Sequence, residues 1–503
     1  MSTQKSHNAQ FFDNSEDVSR IIKAYKRKKY YPYKLYIPEN LNLEEILDSS
    51  PPVFKYYKDC FLYILHLIVS IPLRLKDFDL EKQKGFTPID KKLLSRRIHA
   101  YNDYIDYLKK YNIIEEGTSY KPGYYSKGLK FMVQYRTKVK GVYITKNTLI
   151  KSITEKNYHR DIEAEHKLWF LKKWFNPNLT IDMEKTVEFL ELDKEISRKK
   201  IERKRASRRI KKTWIPIDEI VTMGYNMKYI VADKINEGKN HHPIVDSTSG
   251  RFHSPLTQLK KELRMFVRYN GEDLHGIDIV NSQPLLALVI LDYDLFIKNE
   301  IYKIIAHYNP ILTELKDIIK NSNFKNPIST MLVNLIKRSK DNTDVKLFKR
   351  AVVEGKFYEY FAELLNQNSL VPQDIMDKPQ EIRKFAKNAT FTALFSKPED
   401  VMWNAQIKAF RKCFPTVYRI FSLIKSGKNN HPTLACLLQR FESNLILHTV
   451  CAEINKLIPE APIFTVHDSI VTTEKYLSIV TGIFGSHLAD KLGVNPKLKI
   501  EEW

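Results

Sequence analysis

Two aspartates 190 residues apart are the first groups in this chain whose setting suggests chemistry. Asp278 stands in Gly276-Ile277-Asp278-Ile279-Val280-Asn281-Ser282-Gln283, an apolar run that breaks into polar residues. Asp468 stands in Ile463-Phe464-Thr465-Val466-His467-Asp468-Ser469-Ile470-Val471, a pattern that predicts a strand, a turn with the acid at its tip, and a second strand. Between them Arg383, Lys387, Phe391 and Phe395 recur every four residues, and so lie near one face of a helix. Two isolated carboxylates on β-segments suit a pair of Mg²⁺ ions. A helix with Arg and Lys one turn apart suits a triphosphate, with aromatic rings beside it for a base. This is the equipment of a nucleotidyl-transfer enzyme.

The elements that must position these groups fall in the second half of the chain. After Pro216, short β-like runs alternate with helices, and residues 217–503 read as one catalytic unit. From Leu41 to about Leu190 the pattern is mostly helical, punctuated by Pro51-Pro52 and Lys121-Pro122-Gly123. Residues 31–216 therefore read as an accessory region, and residues 1–30 as a loosely ordered, basic N-terminus ending in Lys26-Arg27-Lys28-Lys29. The most biased segment, Arg198 to Lys212, holds ten Lys or Arg among fifteen residues and no Gly or Pro. It predicts a basic helix, and Arg203, Lys204, Arg208 and Arg209 are its candidate phosphate contacts, each adding salt-dependent affinity for a duplex.

Composition agrees with a polyanionic partner. The 503 residues carry 82 Lys and Arg against 59 Asp and Glu, a net charge of +23. Cys60, Cys413, Cys436 and Cys451 have no pairing or zinc-like spacing and read as reduced thiols. The longest apolar stretch, Cys60 to Val69, is too short to span a bilayer, and Met1 to Gln10 has no apolar signal core. The expectation is a cytoplasmic protein, nucleoid-associated or belonging to a mobile element or virus, with no membrane partner.

Taken in order, Gly250-Arg251 with Arg264 downstream, the Asp278 segment, the Arg383 ladder, Phe414-Pro415, Gln439 and Val466-His467-Asp468 form a series. About 220 residues of the chain, from Gly250 to Ile470, thereby resemble the core of family A DNA polymerases, the DNA polymerase I type, related to phage-type single-subunit RNA polymerases. The ladder is similar to that family's Arg-x3-Lys-x3-Phe-x3-Tyr-Gly through its first three positions.

The resemblance implies an α+β fold: a right-hand polymerase with an antiparallel palm sheet and helical fingers (about 292–425) and thumb, beside the mostly helical N-terminal region. It implies a DNA-directed DNA polymerase without proofreading, extending a primer 3′-hydroxyl on a DNA primer-template with dNTPs. Asp278 and Asp468, with the backbone carbonyl of Ile279, match the holders of two Mg²⁺ ions, for which Mn²⁺ can substitute. Arg383 and Lys387 match the triphosphate grip, with Lys387 also a proton donor to pyrophosphate. Phe391 and Phe395 would line the nucleotide, and Gln283 would face its sugar. Arg251, Arg264, Gln439 and His467 would contact primer and template.

The chain departs from that family at several points. Tyr-Gly is replaced by Phe395-Ser396, which argues against strict ribonucleotide selection. Gln283 stands where the DNA polymerases have Glu; similar in size, it favours a deoxynucleotide pocket, although a neutral amide can bond a 2′-hydroxyl. Ser469 follows the second Asp, and residues 292–350 lengthen the fingers. An RNA polymerase, primase or terminal transferase on the same palm, using NTPs or an RNA template, is the enzymatic alternative. A non-catalytic DNA-binding replication protein is the other.

Overall fold

The computed structural model describes residues 32–74, 83–117, 127–154, 166–207, 215–240, 243–320 and 326–503. The chain divides into two compact units, Met1–Lys156 with Arg198–Met227, and Asn157–Ser197 with Lys228–Trp503. This cuts the chain differently from a boundary at Pro216: residues 157–197 join the second unit.

In the first unit the strand Tyr33–Pro38 pairs antiparallel with Val139–Ile144, and the helix Lys58–Arg74 packs on it. That helix holds the ten-residue apolar run from Cys60 to Val69, and its residues Phe61, Ile64 and Leu65 are fully buried. Burial of this kind, not a membrane, accounts for the run, and no helix among the described residues is long and apolar enough to cross a bilayer.

The second unit is α+β. Its antiparallel sheet is built from β1 (Leu179–Ile181), β2 (Val267–Tyr269), β3 (Glu272–Ile279), β4 (Phe464–Val466), β5 (Ser469–Thr473) and β6 (Leu498–Glu502). The order is β4-β5-β3-β2-β1, with β6 on the other edge of β3. The first residues of β3 pair with β2, while its far half lies between β5 and β6. The 157–197 segment belongs to this unit because β1 pairs with β2, Leu179 opposite Tyr269.

Four helices position the candidate groups: α1 (Phe357–Gln367), α2 (Pro379–Phe395), α3 (Ala405–Cys413) and α4 (Thr433–Ser443). A fifth, α5 (Glu474–Leu492), backs the sheet with Val480, Phe484, Leu488 and Leu492, buried every fourth residue. The rings of Phe348, Phe357, Phe361, Phe410 and Phe414 meet with centroids 4.8–6.1 Å apart, fixing α1 against α3. Between these helices α2 presents a buried stripe of mostly small residues, including Ala386, Ala389, Thr390 and Ala393, which permits close approach. Its longer side chains, Arg383, Lys387, Phe391 and Phe395, are left on the flank of that stripe.

Candidate active site

Register places the first acid. Asp278 faces Ser469 across β5 and Lys499 across β6, and its neighbours Ile277 and Ile279 are buried on the other side of the pleat. The second acid is placed by a turn. Val466 pairs with Ser469, so His467 and Asp468 form a two-residue hairpin loop. His467 has φ 57°, the left-handed backbone that such loops demand and that non-glycine residues adopt at a cost of order 1 kcal/mol. Since β5 lies beside β3, residues 190 positions apart come together at one end of the sheet.

Carboxylates crowd together there, with cations beside them. Burial pushes the Asp278 carboxyl above its ordinary range, the Ser469 hydroxyl holds it back, and the carboxylates of Glu501 and Asp468 push it further. Glu501 itself is held down to about 2 by hydrogen bonds from Lys261 and Lys499. Lys261 reaches it at 2.7 Å. Arg264 also faces Asp278, with its guanidinium 5.0 Å from the centre of the Trp503 ring. Trp503 in turn sits against β3, where a Cβ on Gly276 would stand 2.7 Å from its Nε1.

A buried glutamate organises the adjoining wall. Glu442, on α4, accepts from Arg251 Nε at 3.0 Å and Nη2 at 2.7 Å through one oxygen, and from Gln283 Nε2 at 2.7 Å through the other. Its side chain is 2% exposed. Burial raises its carboxyl to about 7, with Arg251 opposing and Asp468 reinforcing the shift. Arg251 is aimed by the preceding turn, in which Asp246 accepts from the backbone N–H groups of Thr248, Ser249 and Arg251. Gly250 makes that turn at φ 70°, where a side chain would also collide with the Arg440 guanidinium. Gln439 lies half-buried one turn before Glu442.

Immediately after Asp278 the chain exposes unmet hydrogen-bonding capacity to this wall. Among the described residues, Asn281 Nδ2, Ser282 Oγ and Gln283 Oε1 are all buried without a hydrogen-bond partner. Such groups are costly unless something supplies the missing bonds. With Nε2 of Gln283 committed to Glu442, the free group at that position is an acceptor.

The ladder is helical as its spacing predicts. Arg383 donates to Glu359 of α1 at 2.5 Å and lies 5.7 Å from the centre of the Tyr358 ring. Lys387 stands 5.9 Å from the centres of both Tyr358 and Phe391. Phe391 and Phe395 stack at 5.7 Å with 25° between their planes. Tyr358 joins the ladder to the acid-bearing hairpin electrostatically. Burial pushes its hydroxyl well above the ordinary range, Arg383 pulls it back, and Asp468 pushes it higher. Lys425, itself buried, donates to the carbonyls of Ala393 and Ser396 at 2.7 and 3.0 Å, capping the last turn of α2.

Asp278, Asp468, His467, Gln283, Arg251, Arg264 and Gln439 thus share one unit with the ladder. Arg203 and Lys204 lie in the helix Met183–Ser207, on the stretch that belongs to the first unit; Arg208 and Arg209 fall outside the described residues. Sequence reasoning missed Glu442, Tyr358, Asp246 and Glu501. Glu442 had a visible signal: it is an acid on the stripe of Leu434, Leu437, Leu438 and Phe441, which the helix buries.

No family model matches the chain, and no curated protein is similar to it. Among solved structures, the POL domain of Pol1 from M. smegmatis, in complex with a DNA primer-template and a dNTP, aligns over 71% of this chain and 73% of its own. The identity is 9% and the TM-score 0.39. A likeness that slight carries no weight for the chemistry, which rests on the geometry above.

Proposed function

We propose that this protein is a template-directed nucleotidyltransferase, a DNA polymerase that extends a primer 3′-hydroxyl with dNTPs. The observation that supports it best is the meeting of Asp278 and Asp468 at one end of the sheet, within electrostatic reach of a helix bearing Arg383 and Lys387 through Tyr358. Among the described residues no group of three or more His, Cys, Asp or Glu side chains is arranged to hold a metal. Two carboxylates fit Mg²⁺, which keeps waters and takes substrate oxygens. The carboxylates of Asp468 and Glu501 beside Asp278, which disfavour its charged form, fit a divalent cation as well.

Asp278, Asp468 and the Ile279 carbonyl would hold two Mg²⁺ ions, which when bound supply Lewis-acid activation of the 3′-hydroxyl and charge neutralisation. Arg383 would exchange its partly exposed partner Glu359 for the triphosphate, an exchange that costs little because surface ion pairs are weak. Lys387, poised between two rings, would bind the same phosphates and donate a proton to the departing pyrophosphate. Phe391 and Phe395 would cover the base. Arg251, Arg264, Gln439 and His467 would orient primer and template.

A second reading, an RNA polymerase or primase, has one observation in its favour. The unpartnered Gln283 Oε1 is an acceptor that a ribose 2′-hydroxyl would satisfy. Primer extension with dNTPs or NTPs, with and without template, tests both. Extension by dNTPs that Asp278→Ala and Asp468→Ala abolish is expected. NTP use alone would transfer the assignment to the second reading, and activity surviving both substitutions would remove it.

A further inference from the structure

Trp403 is 88% exposed, an unusual state for the largest apolar side chain. It is not on a loose loop. Its N–H donates to the Asp400 carbonyl at 3.1 Å, closing the helical turn Pro398–Met402 that follows α2. The next residue, Asn404, caps α3 by accepting from the N–H groups of Gln406 and Ile407 at 2.8 and 3.1 Å. The indole is therefore held out into solvent from a backbone fixed on both sides.

Beside it, the turn and α3 form a shallow surface cleft, largely open to solvent and lined by Val401, Met402, Lys408, Arg411 and Lys412. Met402 is also exposed, at 64%. All three cations are exposed, and among the described residues none of them has an ion-pair or hydrogen-bond partner. A pre-positioned aromatic face next to a groove of unpaired cations is the arrangement that binds single strands: bases stack, and phosphates follow the positive charge. A duplex keeps its bases stacked on each other and has no use for the indole. The strand is taken as DNA because the proposed active site copies a DNA template; a ribose 2′-hydroxyl in so open a cleft would keep its water or accept from the cations, so the cleft itself does not read the sugar.

We infer that Trp403 with Lys408, Arg411 and Lys412 forms a binding platform for single-stranded DNA at the far end of the ladder helix. The platform would hold the unpaired strand that approaches the proposed active site. It rests on that reading only for its purpose and for the choice of DNA; its binding requires no chemistry.

The experiment titrates full-length Asp468→Asn protein with oligo-dT, oligo-rU and blunt duplex of about twelve units, within the span such sites cover, following tryptophan fluorescence. Oligo-dT should quench the indole emission. Trp403→Ala should abolish that quench and weaken binding about tenfold, the worth of one stacked base, whereas Trp403→Phe should retain most of the affinity. Replacing Lys408, Arg411 and Lys412 by Gln should lower the log–log salt slope by about 2, three phosphates at roughly 0.7 each. The platform is refuted if Trp403→Ala binds and quenches like its parent, or if blunt duplex quenches as strongly as oligo-dT; oligo-rU should quench comparably, because the open cleft does not read the sugar. If Asp468→Asn still extends primers, the catalytic assignment fails while the platform stands.

Discussion

Gln283 and Glu442, 159 residues apart, are locked together by a 2.7 Å hydrogen bond from amide nitrogen to carboxylate oxygen. The same carboxylate holds Arg251, so one buried acid fixes both the residue proposed to face the sugar and a proposed primer contact.

Removing that acid should be costly. Glu442→Ala leaves the part-buried Arg251 and Gln283 donors without their acceptor, a loss that typically costs about 1–3 kcal/mol. Urea unfolding should show this loss. Glu442→Gln should lose less, because the amide still accepts from one neighbour.

The same residue should give stability a pH signature. Its folded-state pKa is raised from 4.5 to about 7, so the folded protein binds an extra proton between those values. The group's contribution is then fully present below about pH 4.5 and is lost as pH rises through 7. Melting curves of wild type and Glu442→Gln should diverge across that window, with wild type losing ground relative to the variant as pH rises. Curves that stay parallel would rule the shift out.

Asp278→Asn should separate activity from stability. The substitution removes one of the carboxylates crowded beside Glu501 and Asp468, so the melting temperature should hold or rise. Primer extension should fall by a thousandfold or more, about 4 kcal/mol of barrier. A clear loss of stability with activity intact would reverse the interpretation.

The two acids and the ladder were legible in the sequence because each is a local pattern. Flanking β-branched residues announce the strands, and four-residue spacing announces the helix. The wall around Glu442 was less legible, since Arg251, Gln283 and Glu442 converge from three segments and their pairing exists only in three dimensions. The same holds for Tyr358, whose link to Asp468 crosses 110 residues. The place of residues 157–197 was hidden too, because a three-residue strand, β1, leaves almost no periodic trace.

Lys425 should prove structural rather than chemical. Lys425→Met strips two hydrogen bonds from the end of α2 and should destabilise the protein by about 1–3 kcal/mol. Burial lowers its pKa to about 8, from 10.5. The unfolded chain therefore binds more protons between those values, and wild type should gain stability relative to Lys425→Met as pH rises from about 8 to 10.5. Denaturation at the two ends of that range checks the sign.

Gly276→Ala should disturb the sheet from beneath. The added methyl meets the Trp503 indole at 2.7 Å, and overpacking of this kind costs roughly 1–3 kcal/mol. Near-ultraviolet circular dichroism should report the displaced ring, and Arg264, which lies over it, should lose its orientation toward Asp278.

The sheet that joins the two aspartates also constrains how the chain can find its shape. Strand β3 must pair with β5 and β6, roughly two hundred residues further along, whereas the helices between them are built on near-neighbour contacts. Closing so long a loop delays the reward for strand pairing, so the helical segment can acquire structure early and the sheet only late. Folding followed by pulsed hydrogen exchange should protect the amides of α1 to α3 before those of β3. During that interval the two acids are still apart, and the edges of β3 are exposed to pairing with other chains.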